Sequence, residues 1–263
     1  IRTKSLRYRK PLLGGIIKPK TGLSKEKLLD MVKELVDGGV DFIMEDEIMS
    51  NPAFCKLTDR VPYIENYLQD KNIVYCYCIN ADPHAVLKRA QFVADEGGNC
   101  VHVNLWSGLG VYNSIRKLDT DLFIHFQKSG DQIFTNVKHN FSIDWKVICK
   151  LAGLMGVDSI HAGMYGGYHS DDELYLKQVQ DILLEDNVLP VFSCGMHPGL
   201  VDMVREKFGN DWMANVGGAI HGHPDGSLAG TLAMRQAIDG DHRKEYDVAI
   251  EKWGKIDDSK SRR

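Results

Sequence analysis

The sequence predicts an α/β protein with the fold of a (β/α)8 TIM barrel. Short runs rich in β-branched and aromatic residues alternate with longer helical runs, which is typical of repeated βα units around a parallel sheet. Eight strand-like runs can be counted, more than the usual five or six of an open doubly wound sheet. We therefore expect a barrel over residues 1–240, followed by a C-terminal helix and charged tail over 241–263.

The predicted strands are apolar on both alternations, as expected between a filled barrel interior and a jacket of helices. In chain order they cover residues 12–19, 41–46, 73–80, 100–106, 122–127, 159–164, 190–195 and 212–218.

The intervening helices carry their own boundary signals. Ser24 is a suitable N-cap for the first helix, and Gly38 follows its apolar stripe. Asp82 and Pro83 open the helix after the third strand in the same way. A last amphipathic helix, YDVAIEKWGK, is predicted at 246–255, before a polar tail that we expect to fray.

Composition excludes several classes of protein. The net charge is -4 with scattered basic residues, so no nucleic-acid partner is expected. No apolar run approaches the 18 or more residues of a spanning helix, so we expect no membrane association and a cytoplasmic location. Six cysteines without a CxxC pair indicate buried free thiols.

Candidate functional residues follow from the rule that barrel enzymes build their sites at the C-terminal ends of the strands. Polar residues and glycines converge at four of the predicted ends and on the fifth and sixth strands. They are Lys18, Lys20, Glu45, Asp46, Glu47, His125, His161, Ser193, Gly195, Gly217 and Gly218.

Each of these types has a chemical and a purely structural interpretation. A lysine at the barrel mouth can bind phosphate or transfer a proton, or it can simply extend to solvent. Adjacent carboxylates suit Mg²⁺, although charged runs are usually only solvated. Histidines inside apolar strands are as often hydrogen-bonded core residues as catalysts. Late glycines can expose backbone N–H groups to phosphate or only permit tight turns. His221 and His223 are expected to be structural.

Six ordered segments resemble the RuBisCO and RuBisCO-like large-subunit superfamily, and together they extend along nearly the whole chain. They are GGIIKPKTGLS, GGVDFIMEDE, LFIHF, SIHAG, LPVFSCGMH and VGGAIHGHP. The resemblance implies the C-terminal barrel of that family and at least a homodimer. Family members carry an α+β domain before the barrel, whereas this sequence begins almost at the first strand, so that domain is either absent or outside this sequence.

The resemblance also implies roles for these residues. Lys18 and Lys20 match the two lysines of the KPK motif, of which the first moves a proton of the substrate, and His125 and His161 match site histidines. Ser193, Gly195, Gly217 and Gly218 match residues that hold a phosphate. The Mg²⁺ ligands of the family are a carbamylated lysine and two acids, which fall on Met44, Asp46 and Glu47.

Several family positions have changed. Methionine cannot form a carbamate, and its thioether is a poor Mg²⁺ ligand, so Mg²⁺ binding by Asp46 and Glu47 is expected to be weak. Phe126 replaces an arginine, Ser129 a histidine, and Tyr168 lies near the place of the loop lysine that supports carboxylation. These losses favour an enolase or isomerase acting by proton transfer on a phosphorylated, possibly sulfur-containing, sugar. A degenerate barrel kept for binding or assembly, a divergent carboxylase and an unrelated barrel chemistry such as a Schiff-base aldolase remain alternatives.

Overall fold

A computed structural model describes residues 9–256 and contains a closed barrel of eight parallel strands in sequential order. The barrel closes by pairing of the first and last strands, with Leu12 opposite Met213. The strands are β1 Leu12–Ile16, β2 Phe42–Met44, β3 Val74–Cys78, β4 Cys100–Asn104, β5 Phe123–Gln127, β6 Ser159–Gly163, β7 Leu189–Phe192 and β8 Met213–Val216. The predicted fold class and all eight strands are confirmed.

Helices follow the strands around the outside of the barrel. They are α1 Lys25–Asp37, α2 Leu57–Leu68, α3 Pro83–Asp95, α4 Gly110–Arg116, α5 Gln132–Thr135, α6 Trp145–Leu154, α7 Glu173–Glu185, α8 Val201–Phe208, α9 Gly218–His221, α10 Gly226–Asp239 and α11 Lys244–Trp253. The predicted caps are confirmed, because the side chains of Ser24 and Asp82 accept from the backbone N–H groups of Lys27 and Ala85. None of the helices in 9–256 is long and apolar enough to cross a membrane.

A C-terminal helix was predicted within residues 241–263, and the structure has one there, α11, which packs against α10. It begins two residues earlier than predicted, at Lys244. His223 bonds the backbone carbonyl of Glu245 at 3.0 Å and so ties the helix to the chain after β8. The predicted polar tail lies outside the described residues from 257 onwards.

All the observed strands except β5 are shorter than predicted at their C-terminal ends, which matters most at β1. This strand ends at Ile16, opposite Met44, so Lys18 and Lys20 lie in the following bend. The prediction that this strand extends to residue 19 is therefore wrong. Pro19 has no N–H group for a ladder bond, and the neighbouring β2 also ends at this level.

The barrel interior changes character along its axis. The N-terminal half is a cluster of apolar side chains that includes Leu12, Phe42, Val74, Cys100 and Met213. Nearer the C-terminal ends the buried side chains become polar: they are His102, His125, His161, Gln127 and Asn215. The polar part of the interior thus lies directly below the face on which barrel sites are built.

Candidate active site

The ends of β1 and β2 bring Lys18 and Asp46 together. The Lys18 ammonium donates to Oδ2 of Asp46 in an ion pair, and Oδ1 of the same carboxylate accepts from the Ile48 N–H at 3.3 Å. The Asp46 side chain is fully buried, whereas Lys18 is 37% exposed. The pair therefore presents a positive group to the mouth of the barrel with a buried counter-charge behind it.

Glu45, next to Asp46 in sequence, faces away from the mouth into a closed network. Arg60 on α2 holds it with two bonds, Nε to Oε1 at 2.7 Å and Nη2 to Oε2 at 2.9 Å, and neither side chain is exposed. The Tyr75 hydroxyl and the Cys78 N–H also donate to this carboxylate, at 3.3 and 2.8 Å. Burial and the Glu45 charge raise the pKa of Tyr75 well above its usual value. Glu45 is thus committed to a structural role.

The donors that remain do not form a protein-held Mg²⁺ site. Met44 lies in the barrel interior with its sulfur 3.5 Å from Nδ2 of Asn215, Glu45 is bound by Arg60, and Asp46 is paired with Lys18. Within residues 9–256, no group of three His, Cys, Asp or Glu side chains converges as metal ligands. A small divalent ion needs several hard oxygens in near-ideal geometry, and this set of residues does not supply them.

Glu47 and His161 are connected by a chain of hydrogen bonds through Gln127. The Ser129 N–H donates to Oε1 of Gln127 at 3.2 Å, which fixes the orientation of the Gln127 amide. Nε2 of Gln127 then donates to Glu47 at 3.3 Å. Nδ1 of His161 lies 2.8 Å from the same Oε1, so it must carry the proton. Nε2 of His161 then accepts from Nδ2 of Asn215 at 3.1 Å. His161 is held as a neutral ring with both nitrogens in use.

Two further histidines lie in the same interior and are completely buried. Nδ1 of His125 is 2.9 Å from the Ser159 hydroxyl, but its Nε2 has no partner in the described part of the chain. Neither ring nitrogen of His102 has one there. Burial lowers the pKa of His102 and His161 to about 3 and that of His125 well below its usual value. These histidines therefore lie in the barrel interior, and a catalytic role for His125 and His161 stays a prediction.

Gly217 and Gly218 follow β8 and lie on the same side of the site as Lys18. A Cβ on Gly217 would lie 3.3 Å from Cε of Lys18, whereas a Cβ on Gly218 would meet nothing within 4 Å. Gly218 is exposed and opens the short helix α9. Neither glycine has a positive φ, so the backbone conformation does not itself require glycine at these two positions. Open space beside backbone N–H groups and a lysine remains consistent with anion binding.

Ser193 and Gly195 follow β7, the strand that pairs with β8 and so lies next to the end that carries Gly217 and Gly218. Ser193 is buried next to Cys194, with the two side chains 3.6 Å apart. A Cβ on Gly195, whose φ is +109°, would lie 2.6 Å from the backbone nitrogen of Tyr168. The loop after β6 therefore packs on Gly195, which explains a glycine there by packing. Phosphate binding by this residue and by Ser193 stays a prediction.

The other candidate positions have clear structural settings. Lys20 is exposed in the bend after β1, and Phe126 stacks on Tyr112 in the core with ring centroids 4.6 Å apart. His221 bonds the Ile16 carbonyl at 2.9 Å and Ser227 at 3.1 Å, so its structural role, like that of His223, is confirmed. Five cysteines are buried free thiols as expected. Cys194 is exposed in a left-handed bend with φ +66°.

Sequence reasoning missed the residues that orient the site. Arg60 and Gln127 look like ordinary polar residues of a helix and a strand end, and His102 and Asn215 sit in apolar strands. The signal for the last two was their alternation: each is two residues beyond an interior apolar residue, Cys100 or Met213. Nothing local to Arg60 indicates that its partner is Glu45.

The fold and the polar mouth define a TIM-barrel protein whose candidate site lies at the C-terminal ends of its strands. A family profile described as ribulose bisphosphate carboxylase large chain, catalytic domain, matches residues 1–256. The chain belongs to this family.

Similar proteins include carboxylases and RuBisCO-like proteins. A ribulose bisphosphate carboxylase of Pyrococcus furiosus is 32% identical over 273 residues, covering 93% of this chain and 64% of the relative. A RuBisCO-like protein from Burkholderia fungorum superposes with a TM-score of 0.85 at 28% identity, over 95% of this chain and 68% of that one. A RuBisCO-like protein (MtnW) from Alicyclobacillus acidocaldarius gives 0.83 at 28%, over 96% and 69%. This chain thus spans about two thirds of the length of its relatives.

Proposed function

We propose that this barrel binds a phosphorylated sugar, or a sulfur-containing derivative of one, and acts as an enolase or isomerase by proton transfer beside a carbonyl. The observation that carries the proposal is the position of Lys18, which pairs with the buried Asp46 carboxylate and whose Cε lies 3.3 Å from the place that a Cβ on Gly217 would take. A cation next to open space and backbone N–H groups suits an anionic substrate whose reaction develops negative charge on oxygen.

The roles proposed for other residues follow from their placement. Gly217 and Gly218 hold the phosphate through their backbone, and Lys18 faces the reacting carbonyl. Ser193 and Gly195, after the neighbouring strand β7, are proposed to hold the same phosphate. His161 and His125 shape the floor of the site from within the interior, because both are buried. Lys20 is exposed and is proposed to attract the substrate by charge alone.

A carboxylase is disfavoured, although relatives bear that name. Met44 replaces the lysine that forms the carbamate, and Tyr168 stands near the place of the loop lysine. We also propose a homo-oligomeric assembly, since structures of similar proteins are described as dimeric for Hyperthermus butylicus and octameric for Pyrococcus horikoshii.

A binding or assembly role without catalysis is the second candidate. It is favoured by the commitment of Glu45 and Asp46 to ion pairs and by the burial of His125 and His161. The two candidates differ in whether the protein exchanges a substrate proton with solvent.

The test combines phosphate protection with hydrogen exchange. Inorganic phosphate and ribulose bisphosphate should raise the Tm of the wild type, because a ligand that binds only the native state stabilises it. Gly218→Val should abolish this shift, since its side chain fills the open space beside α9. Gly110→Val is the matched control, because Gly110 also opens a helix after a strand, is exposed and has nothing within 4 Å of its Cβ position.

The outcomes separate the candidates. Protection lost only in Gly218→Val, with deuterium from D2O entering the carbon beside the carbonyl of a keto-sugar phosphate, supports the enolase or isomerase. Protection without deuterium incorporation favours the binding role. Equal protection of Gly218→Val and wild type rejects phosphate binding at this glycine, and incorporation of labelled CO2 into ribulose bisphosphate would restore the carboxylase.

A further inference from the structure

The carboxylate of Asp46 is already neutralised within the chain. Its side chain is fully buried, Oδ2 accepts from the Lys18 ammonium, and Oδ1 accepts from a backbone N–H. A buried carboxylate without a partner would carry a large desolvation cost, which the pairing with Lys18 offsets.

The residues around this pair leave no replacement for the missing anionic ligand. Met44 contributes a thioether in contact with Asn215, and Glu45 is turned to the outside of the barrel by Arg60. Glu47 is oriented by Gln127. A divalent ion at Asp46 would have to displace the lysine and would then meet one other carboxylate nearby.

The site also has fewer acidic groups than the family site. Lys18 contributes one basic group, and Asp46 and Glu47 contribute two acidic groups. The family site implied by the resemblance contains a third anion, the carbamate, and a divalent ion. Loss of the carbamate lowers the negative charge by one, which reduces the attraction for a divalent ion at the same place.

We infer that the Lys18 ammonium is the resident cation of this site and occupies the place at Asp46 where a divalent metal ion would otherwise bind. The site therefore needs no Mg²⁺. Held by a buried carboxylate and still 37% exposed, the ammonium faces the mouth and can stabilise negative charge that develops on a bound substrate oxygen. This catalytic part rests on the proposed function, whereas the displacement of metal by Lys18 does not.

The test uses Mn²⁺ alone as the probe, titrated into the protein and followed by the electron paramagnetic resonance signal of the free ion. The wild type should bind Mn²⁺ at Asp46 no more tightly than millimolar, because the lysine competes for the carboxylate. Lys18→Met should bind at least about tenfold more tightly, equivalent to about 1.4 kcal/mol. The double variant Lys18→Met with Asp46→Asn should lose this gain, which assigns the new site to Asp46.

Lys20→Met is the matched control, because it removes an exposed lysine two residues away and leaves the Lys18–Asp46 pair intact. It should bind Mn²⁺ like the wild type. If Lys18→Met does not fold, as judged by circular dichroism, Lys18→Gln replaces it. Micromolar Mn²⁺ binding by the wild type, or unchanged affinity in the folded Lys18 variant, overturns the inference.

These results are separable from the substrate proposal. Failure of phosphate protection together with a gain of Mn²⁺ affinity in Lys18→Met would reject the proposed function and leave the lysine as the resident cation. Phosphate protection together with micromolar Mn²⁺ binding by the wild type would reject the lysine as the resident cation and leave the proposed function standing.

Discussion

Two buried polar regions of this barrel, one outside β2 and one in the interior, differ in how far their hydrogen-bonding groups find partners. On the outside of β2, Arg60 and Glu45 form a network in which the guanidinium also donates to backbone carbonyls, including that of Cys55 at 2.8 Å. In the barrel interior, His102 and His125 are equally buried but leave ring nitrogens without partners in the described part of the chain.

The outer network is therefore expected to stabilise the fold, whereas the interior histidines are expected to lower its stability. A buried charge pair with its remaining hydrogen bonds satisfied rigidifies its surroundings, and loss of one member leaves the other charge uncompensated. A buried polar group without a partner costs about 1–3 kcal/mol. The costly region lies directly beneath the candidate active site, where tolerated strain is most often connected with function.

The largest expected effect is the loss of one member of the outer network. Arg60→Met should lower the free energy of unfolding by about 3–5 kcal/mol, because Glu45 would be left buried and unpaired. Urea unfolding followed by circular dichroism measures this change. The double variant Arg60→Met with Glu45→Leu should recover part of the loss, since both charges are then gone. A single variant within 1 kcal/mol of wild type would show that the network is not the stabilising region.

A smaller effect is expected from acid, and it comes from the interior histidines. Burial holds the pKa of His102 and His161 at about 3 in the folded protein, while the unfolded chain takes up these protons near 6.5. Above pH 6.5 these histidines are neutral in both states. As the pH falls from 6.5 towards 3, the unfolded chain takes up protons that the folded protein does not, so the free energy of unfolding decreases. Each histidine should contribute about 1.4 kcal/mol per pH unit within this window.

The acid effect is checked by urea unfolding of wild type and His102→Leu at pH 7, 6 and 5. The variant should lose less stability per pH unit than the wild type, because it has one fewer buried histidine to protonate on unfolding. Parallel curves would mean that the folded protein protonates His102 as readily as the unfolded chain does.

The smallest expected effect is that of His102→Leu at pH 7.5. Both ring nitrogens of His102 are without described partners, so an apolar side chain should change the free energy of unfolding by less than about 1 kcal/mol, towards greater stability. His161→Leu is the contrasting variant and should destabilise by about 1–3 kcal/mol, because Gln127 and Asn215 each lose a partner. Equal destabilisation by both variants would indicate that ordered water satisfies His102.

The sequence by itself determined the barrel, the order of its eight strands and the helix caps at Ser24 and Asp82, and it placed Lys18 and Asp46 as candidates at neighbouring strand ends. These follow from periodicity, capping chemistry and position at strand ends, which are local properties of the chain. The C-terminal ends of all strands except β5 were placed too late, because the last ladder bond depends on where the neighbouring strand stops.

Only the tertiary structure decided which partner each of three adjacent acidic residues has. Glu45, Asp46 and Glu47 are chemically alike in sequence, yet one pairs with Arg60, one with Lys18 and one with Gln127. Likewise, the proton of His161 is fixed by the backbone N–H of Ser129 acting through Gln127. These assignments depend on partners distant in sequence, and the charge or tautomer of a buried group is set by those partners rather than by its own identity.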